Sequence, residues 1–288
     1  MARVLALDIG GTKLAAAVVG ADGTMLASGR RPTVGADGAE LFDDVVELLG
    51  RVRAEGTADG VDVTALGVGC GGPMELGGRT VSPLNIAQWR GFPLLERLEA
   101  ATGLPTRIDN DAKALALGEG RWGAASGVRD YLAMVVSTGV GGGIVLGGVL
   151  LDGAAGNAGH IGHVVVDPTG RPCVCGSRGC LEAEASGTAI RAMTGRPAAE
   201  APLEVRVRTG RLVGRAVASV CNLLDLRLAV VAGSVALGFG DDFMDAARDE
   251  LDRCARLEFA RGARIVPPGC GAGDSGPLLG AAAVALRG

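Results

Sequence analysis

One histidine and three cysteines fall close together as His163-x9-Cys173-x-Cys175-x4-Cys180, with glycines at 176 and 179. Three thiolates and an imidazole make a closed tetrahedral donor set of the structural-zinc kind. Clustered thiols in a chain without an export signal favour a metal over a disulfide, against the plainer alternative of a reduced loop that binds nothing. Four protein ligands leave no position for a catalytic water, so zinc here would order a loop. Asp8-Ile9-Gly10-Gly11-Thr12-Lys13 offers different chemistry. Paired glycines let backbone N–H groups approach an anion, Thr12 adds a hydroxyl, and Asp8 is placed for a cation or its water shell. A plain hairpin with a capping acid reads the same residues.

A second loop, Ser137-Thr138-Gly139-Val140-Gly141-Gly142-Gly143, also lies between two apolar runs, where glycines alternatively serve only to bend strands. Two loops of the same kind, one in each half, are far less likely by chance than either alone. They resemble the paired phosphate loops of the sugar-kinase/actin/heat-shock-chaperone fold, which grip ATP phosphates from both sides. Neither is a Walker A loop, since G-x-x-x-x-G-K-[ST] is absent, and no G-x-G-x-x-G opens a helix after the first strand. Val231-Ala232-Gly233-Ser234 is a third strand-to-glycine turn. Asn110-Asp111 opens a helical stretch: its carboxylate is either a base for a substrate hydroxyl or a helix N-cap.

Elements must position these groups. RVLALDIGG is an apolar strand, and KLAAAVVGADGTML reads as a second strand with an Asp22-Gly23 turn. Leu41, Phe42, Val45, Val46, Leu48, Leu49 and Val52 recur at helical spacing over 39–54. Further helices are expected near 93–102, 112–121, 186–194, 203–225, 241–257 and 277–287. Strands are expected at 64–72, 105–109, 227–232 and 263–266, with two more in 131–150. Residues 132–151 carry no charge but include six glycines, so two strands around a turn fit better than a membrane span. The alternation predicts an α/β fold of two lobes with a cleft.

Composition limits the classes of function. The 288 residues hold 49 glycines and only 3% aromatics, so the core is built of Ala, Val, Leu and Ile. Of 28 basic residues only Lys13 and Lys113 are lysines, and 32 acids bring the net charge to −4, which disfavours nucleic acid as partner. With no apolar leader or cleavage site at the start, the expected location is the cytoplasm, away from membranes. Cys70, Cys221, Cys254 and Cys270 stand singly and read as small buried hydrophobes.

Together DIGGTK, NDA with its downstream GE, STGVGGG and GNAGHIGH…CVCGSRGCLEAEASG resemble the ROK family of repressors and bacterial sugar kinases over nearly the whole chain. The resemblance implies the sugar-kinase/actin/heat-shock-chaperone fold (actin-like ATPase, ribonuclease H-like). The expected lobes are 1–112, with helix 277–288 packed back on it, and 113–276 with the zinc loop. It implies phosphoryl transfer from Mg-ATP to a hexose hydroxyl, most simply O6 of glucose. Asp111 would be the base, Asn110 and Glu182 sugar contacts, and Asn85 in PLNIAQW a further contact beside them. His163 would hold zinc through one ring nitrogen and face the sugar with the other. Asp8, Gly10, Gly11, Thr12, Lys13, Thr138, Gly139 and Gly141 would hold ATP and Mg²⁺, with Gly233 near adenosine. A homodimer or homotetramer is the expected assembly.

His160 departs from the family, whose E-x-G-H has a carboxylate there; an imidazole offers one donor and one acceptor in place of two oxygens. Mannose, N-acetylmannosamine, kanosamine or a C7-cyclitol are therefore alternative substrates, and a surface histidine without a ligand is the plainer reading. Cys70-Gly71-Gly72-Pro73 replaces a P-G-P-type turn, a smaller departure. A non-catalytic sugar sensor is the alternative of another class. The family's repressors carry a helix-turn-helix ahead of the first glycine loop, and with Asp8 so early the expectation is an enzyme.

Overall fold

A computed structural model describes residues 2–35, 37–271 and 275–287. Residues 272–274 of the expected glycine-rich loop, and Gly288 at the end of the 277–288 segment, lie outside these. The chain forms two compact units, residues 1–126, 152–156 and 269–288 in one, and 127–151 and 157–268 in the other.

Each unit holds a five-stranded sheet. The first contains β1 (Arg3–Ile9), β2 (Lys13–Gly20), β3 (Met25–Pro32), β4 (Val63–Cys70) and β5 (Thr106–Asn110), in the order β3-β2-β1-β4-β5. The second contains β6 (Tyr131–Val136), β7 (Val140–Leu146), β8 (Val149–Leu150), β9 (Leu228–Ala232) and β10 (Arg264–Val266), in the order β10-β9-β6-β7-β8. Both follow one plan: three strands meander antiparallel, and two more join the first of them in parallel. The two glycine-rich turns, β1–β2 and β6–β7, therefore occupy equivalent places. The sequence shows no repeat at a fixed period; the repeat lies in topology.

Helices α1 (Gly38–Gly56), α2 (Leu94–Thr102) and α3 (Asp111–Trp122) belong to the first unit. To the second belong α4 (Leu181–Ala185), α5 (Gly187–Thr194), α6 (Leu203–Leu224), α7 (Ser234–Phe239) and α8 (Asp241–Cys254). The last helix, α9 (Ser275–Ala285), returns to the first. Strand alternation sorts the packing. Leu5, Leu7 and Ile9 join Leu41, Val45 and Leu48 of α1 in one core, while Val4, Ala6, Ala15 and Ala17 share the opposite core with Leu278, Ala281 and Ala282 of α9. Asp37 starts α1 by accepting the Ala39 and Glu40 amides, and left-handed Gly103 ends α2.

Several expectations need adjusting. The second strand stops at Gly20, and beyond the Asp22-Gly23 turn a third, β3, runs on through the polar SGRRP segment, to which no element was assigned. Helices α4 and α7 are too short to show a period. The 241–257 helix ends at Cys254, whose thiol is only half-buried, 3.7 Å from Glu250 Oε1; Cys70, Cys221 and Cys270 are buried. Among the described residues no helix is long and apolar enough to cross a membrane, and the uncharged 132–151 stretch forms β6, β7 and β8.

Fully buried Glu119 of α3 holds the chain entering α9. Its carboxylate accepts the amides of Ala124 (2.7 Å), Gly269 (2.8 Å) and Cys270 (3.0 Å). Glu119→Gln would turn an amide N–H toward at least one of these donors. The expected loss is about 1–3 kcal/mol of stability, the cost of a buried unpaired polar group. Denaturant unfolding reads it, and an unchanged midpoint refutes the clamp.

Candidate active site

In the first unit the site is built on the carboxyl ends of parallel strands. Register pairs Asp8 of β1 with Gly69 of β4, and Cys70 with Asn110 of β5. A Cβ on Gly69 would stand 3.7 Å from Asp8 Oδ1 and 3.9 Å from Asp111 Cα, so both acids lie over the same strand end. Beyond β1 the chain turns on the Gly10 N–H bond to Lys13 O (3.0 Å), and Thr33 Oγ1 donates to Gly10 O (2.7 Å). A Cβ on Gly11 would overlap the Asn85 side chain; glycine lets Asn85 rest on this turn.

Asn85 is exposed on a loop that is itself firmly held. Buried Trp89 stacks on Phe92 with ring centroids 4.5 Å apart and donates from Nε1 to Gly38 O. Arg90 Nη1 meets the carbonyls of Pro83, Ile86 and Trp89. Sequence reasoning missed Arg90, because carbonyl partners leave no trace in residue types.

The β5–α3 junction divides Asn110 and Asp111 between cap and first turn. Asn110 is the N-cap, its Oδ1 accepting the Ala112 amide at 3.0 Å. Asp111 is the first helical residue, with an accessible face and Oδ1 2.8 Å from the same amide. The protein packed around it strips water from its carboxylate and pushes the carboxyl above the ordinary range, while the Ala112 amide opposes this. A carboxylate that holds a proton more firmly is a stronger base.

The second unit carries the other glycine turn, from β6 to β7, closed by the Ser137 N–H bond to Gly139 O. Ser137 Oγ lies 2.9 Å from Ser234 Oγ, and Thr188 Oγ1 donates to Thr138 O. Gly233, with φ of 104°, brings the exit of β9 against Val136, a close approach that a Cβ would block. Here a pocket of about 250 Å³ opens, lined by Ser137, Thr138, Thr188, Arg191, Pro197 and Ser234 among others. Thr138 thus lines it, and Gly233 does not, though the next residue, Ser234, does; Thr188 and Arg191 come from α5, which no motif flagged.

Glycines also bring the histidine loop onto β7: a Cβ on Gly159 or Gly162 would strike the carbonyl of Gly142 or Val140. Glu182, on α4, accepts the Val140 amide with Oε2 at 2.9 Å, beside Gly139. His160 is exposed, and its Nδ1 lies 2.9 Å from Asn157 O. Because a carbonyl only accepts, Nδ1 must carry the proton, and Nε2 of the neutral ring is left as a single acceptor. His163 lies near-parallel to it, ring centroids 6.2 Å apart.

His163, Cys173, Cys175 and Cys180 bring one donor atom each to within 4.8 Å of one another. Cys173 Sγ is 3.7 Å from His163 Nδ1, and Cys175 Sγ is 3.7 Å from Cys180 Sγ. A tetrahedral zinc with sulfur ligands at about 2.3 Å requires sulfur separations near that value, so this donor set fits the ion. Nδ1 is the nitrogen aimed at it. Around the cluster, buried Glu184 accepts from Arg208 Nη2 (2.6 Å) and from the Arg171 amide, tying the cysteine loop to α4 and α6. That brace too went unread, its partners lying 24 residues apart.

Comparison with known proteins places this geometry. The chain matches the model of the ROK family over residues 4–287. It is 38% identical over 254 residues to an N-acetylmannosamine kinase of Shigella flexneri, covering 82% of this chain and 84% of that one. Among solved structures it resembles a ROK hexokinase from Thermus thermophilus (34% identity, TM-score 0.86, 99% and 98% of the two chains). It also resembles a ROK family glucokinase from Streptomyces griseus in complex with glucose and AMPPNP (31%, TM-score 0.80, 99% and 100%). The fold is thus that of the actin-like ATPases.

Proposed function

The chain belongs to the ROK family, and from that premise we propose that it transfers the γ-phosphoryl group of ATP to the 6-hydroxyl of N-acetylmannosamine. The observation that carries this choice of sugar is His160. Where the family offers two carboxylate oxygens, the neutral ring here offers one acceptor, Nε2, with Nδ1 committed to Asn157 O. One acceptor suits a sugar that presents a single N–H or hydroxyl donor at that point, with an acetamide replacing a neighbouring hydroxyl. The 38% identity to N-acetylmannosamine kinases supports the same reading. Glucose, or another hexose, is the second reading, favoured by the likeness to a hexokinase and a glucokinase.

In this reading Asp111 takes the hydroxyl proton, and Asn85, Asn110, His160, His163 and Glu182 orient the sugar. The turns at Gly10–Lys13 and Thr138–Gly141 present N–H and hydroxyl donors to the phosphates, with Gly233 at the edge of the nucleoside pocket. Asp8 would hold Mg²⁺, which neutralises charge on the phosphate oxygens when bound. Zinc on His163, Cys173, Cys175 and Cys180 would supply structure alone.

Coupled ADP release with Mg-ATP tests the substrate across N-acetylmannosamine, mannose, glucose, glucosamine, kanosamine and a C7-cyclitol. N-acetylmannosamine is expected to lead in kcat/KM by about tenfold or more, the worth of one well-made hydrogen bond. His160→Glu is expected to shift the ratio toward glucose. Glucose leading in the wild type hands the assignment to the second reading, and no sugar-dependent ADP release at all indicates a sensor.

A further inference from the structure

The β6–β7 turn of the second unit is held from behind by α5. Ser137 O accepts the Gly187 amide at 2.7 Å, and Thr138 O accepts both the amide (3.3 Å) and the hydroxyl (2.9 Å) of Thr188. Gly187 and Thr188 open α5, where the first backbone N–H groups of a helix have no partner within it. The helix is a firm support. Buried Ser186 caps it by accepting the Ala189 amide at 3.0 Å, and Ile190 lies wholly inside the core of the second unit. These bonds fix which way the turn faces. Its peptide bonds are trans, so each C=O and the N–H of the next residue point in opposite directions. With Ser137 O and Thr138 O turned onto α5, the N–H groups of Thr138 and Gly139 are turned away from it. The next amide, that of Val140, is given to Glu182 Oε2 at 2.9 Å. Of the three amides across the turn, those of Thr138 and Gly139 are thus the pair presented to an anion.

We propose that Gly187 and Thr188 are positioning residues for the phosphoryl donor: by anchoring two carbonyls they aim the Thr138 and Gly139 amides at its phosphates. The inference rests on the reading of this turn as a phosphate turn, and every part of it lies in the second unit. Freeing a carbonyl lets its peptide plane rotate, and a rotated plane turns an oxygen instead of an N–H toward a negatively charged phosphate. Affinity for the donor's phosphates is therefore the quantity that moves, while the sugar contacts are left alone. Thr188 also lines the pocket beside the turn, so a direct contact with the nucleoside has to be told apart from aiming. Adenosine, which carries no phosphate, does this.

The test measures the Kd of AMPPNP with Mg²⁺, the inhibition constant of adenosine against ATP, sugar KM and melting temperature. It compares wild type with Thr188→Val, Thr188→Ser, Gly187→Pro and Gly139→Pro. Thr188→Val keeps the size and the amide but loses the hydroxyl, and is expected to weaken AMPPNP about fivefold, the worth of one hydrogen bond. Gly187→Pro deletes the N–H at the first helical position, where proline is otherwise well accepted, and should weaken AMPPNP about tenfold or more. Thr188→Ser, which keeps the hydroxyl, should remain near wild type. The adenosine constant and sugar KM should stay within about twofold in all three. If Gly187→Pro does not fold, the Thr188 pair decides alone. An equal loss for adenosine makes Thr188 a nucleoside contact, and a lowered melting temperature with unchanged AMPPNP affinity makes the bonds merely structural; either result overturns the proposal. Gly139→Pro deletes one of the aimed amides itself. If it weakens AMPPNP and the α5 variants do not, the aiming role alone is overturned. If it leaves AMPPNP affinity unmoved, the phosphate reading of the turn fails and the proposal with it.

Discussion

Asp111→Asn is expected to turn over sugar about 10²–10⁴-fold more slowly than wild type, the usual worth of a positioned general base. Sugar KM should change only a few-fold, since the amide keeps the size of the side chain and its Oδ1 can still accept the Ala112 N–H. The pH profile separates a base from a mere hydrogen-bonding group. Loss of water around Asp111 raises its carboxyl, so the acid limb of kcat/KM should lie above the ordinary carboxylate value of about 3.9 and vanish in the variant. Stability should move oppositely to activity. A folded-state pKa raised above the unfolded one means that the folded state binds the proton more tightly. Its stability is fully present at low pH and lost as pH rises through the folded pKa. At neutral pH the charged carboxylate therefore costs stability, and Asp111→Asn should melt at the same temperature as wild type or higher. A variant that keeps the wild-type rate, or loses rate only by unfolding, removes Asp111 as the base.

Removing zinc is expected to be nearly as severe, through structure alone. Cys180 is the residue immediately before α4, and α4 carries Glu182 two positions later. Main-chain bonds such as Val166 N–H to Gly179 O and Cys173 N–H to Ser177 O, with the Glu184 brace, shape the loop, but only metal ligation would gather the three sulfurs and the imidazole on one point. Zinc in small structural sites contributes about 10–16 kcal/mol, comparable with the ~5–15 kcal/mol total stability of a domain. Cys180→Ser should purify with little zinc against one ion per chain in the wild type. Its kcat/KM should fall by about 100-fold or more as Glu182 and His163 lose their placement. Chelation of the wild type should do the same, reversed by added Zn²⁺. Elemental analysis of active wild-type protein that finds no metal would leave the four residues as a reduced loop.

Much of the candidate site was legible before any coordinates, because its parts are local. The cysteine–histidine set is recognisable by ligand type and short spacing, and the two glycine turns by the apolar strands on either side of them. Asn110-Asp111 was legible as a pair but not in its division of labour: only the backbone geometry shows Asn110 capping the helix and Asp111 left accessible. His160 stood out as a departure, whereas the role of its Nδ1 follows from a carbonyl three residues back, Asn157 O at 2.9 Å. Strand β3 was missed because an edge strand with one wet face has no need of an apolar run.

What residue types and periodicity determined alone was the α/β character, the phosphate-type turns and the metal-type ligand set. Tertiary structure decided the rest: the shared topology of the two sheets, the Glu119 clamp, the Glu184–Arg208 brace and the ion pairs of Asp152 with Lys113 and Arg287. The physical reason is range. Strand alternation, helical spacing and chelate loops are constraints between near neighbours and are written along the chain. A charge pairs with whichever opposite charge the fold brings within about 3 Å, and Asp152 finds its partners 39 residues before it, in buried Lys113, and 135 after.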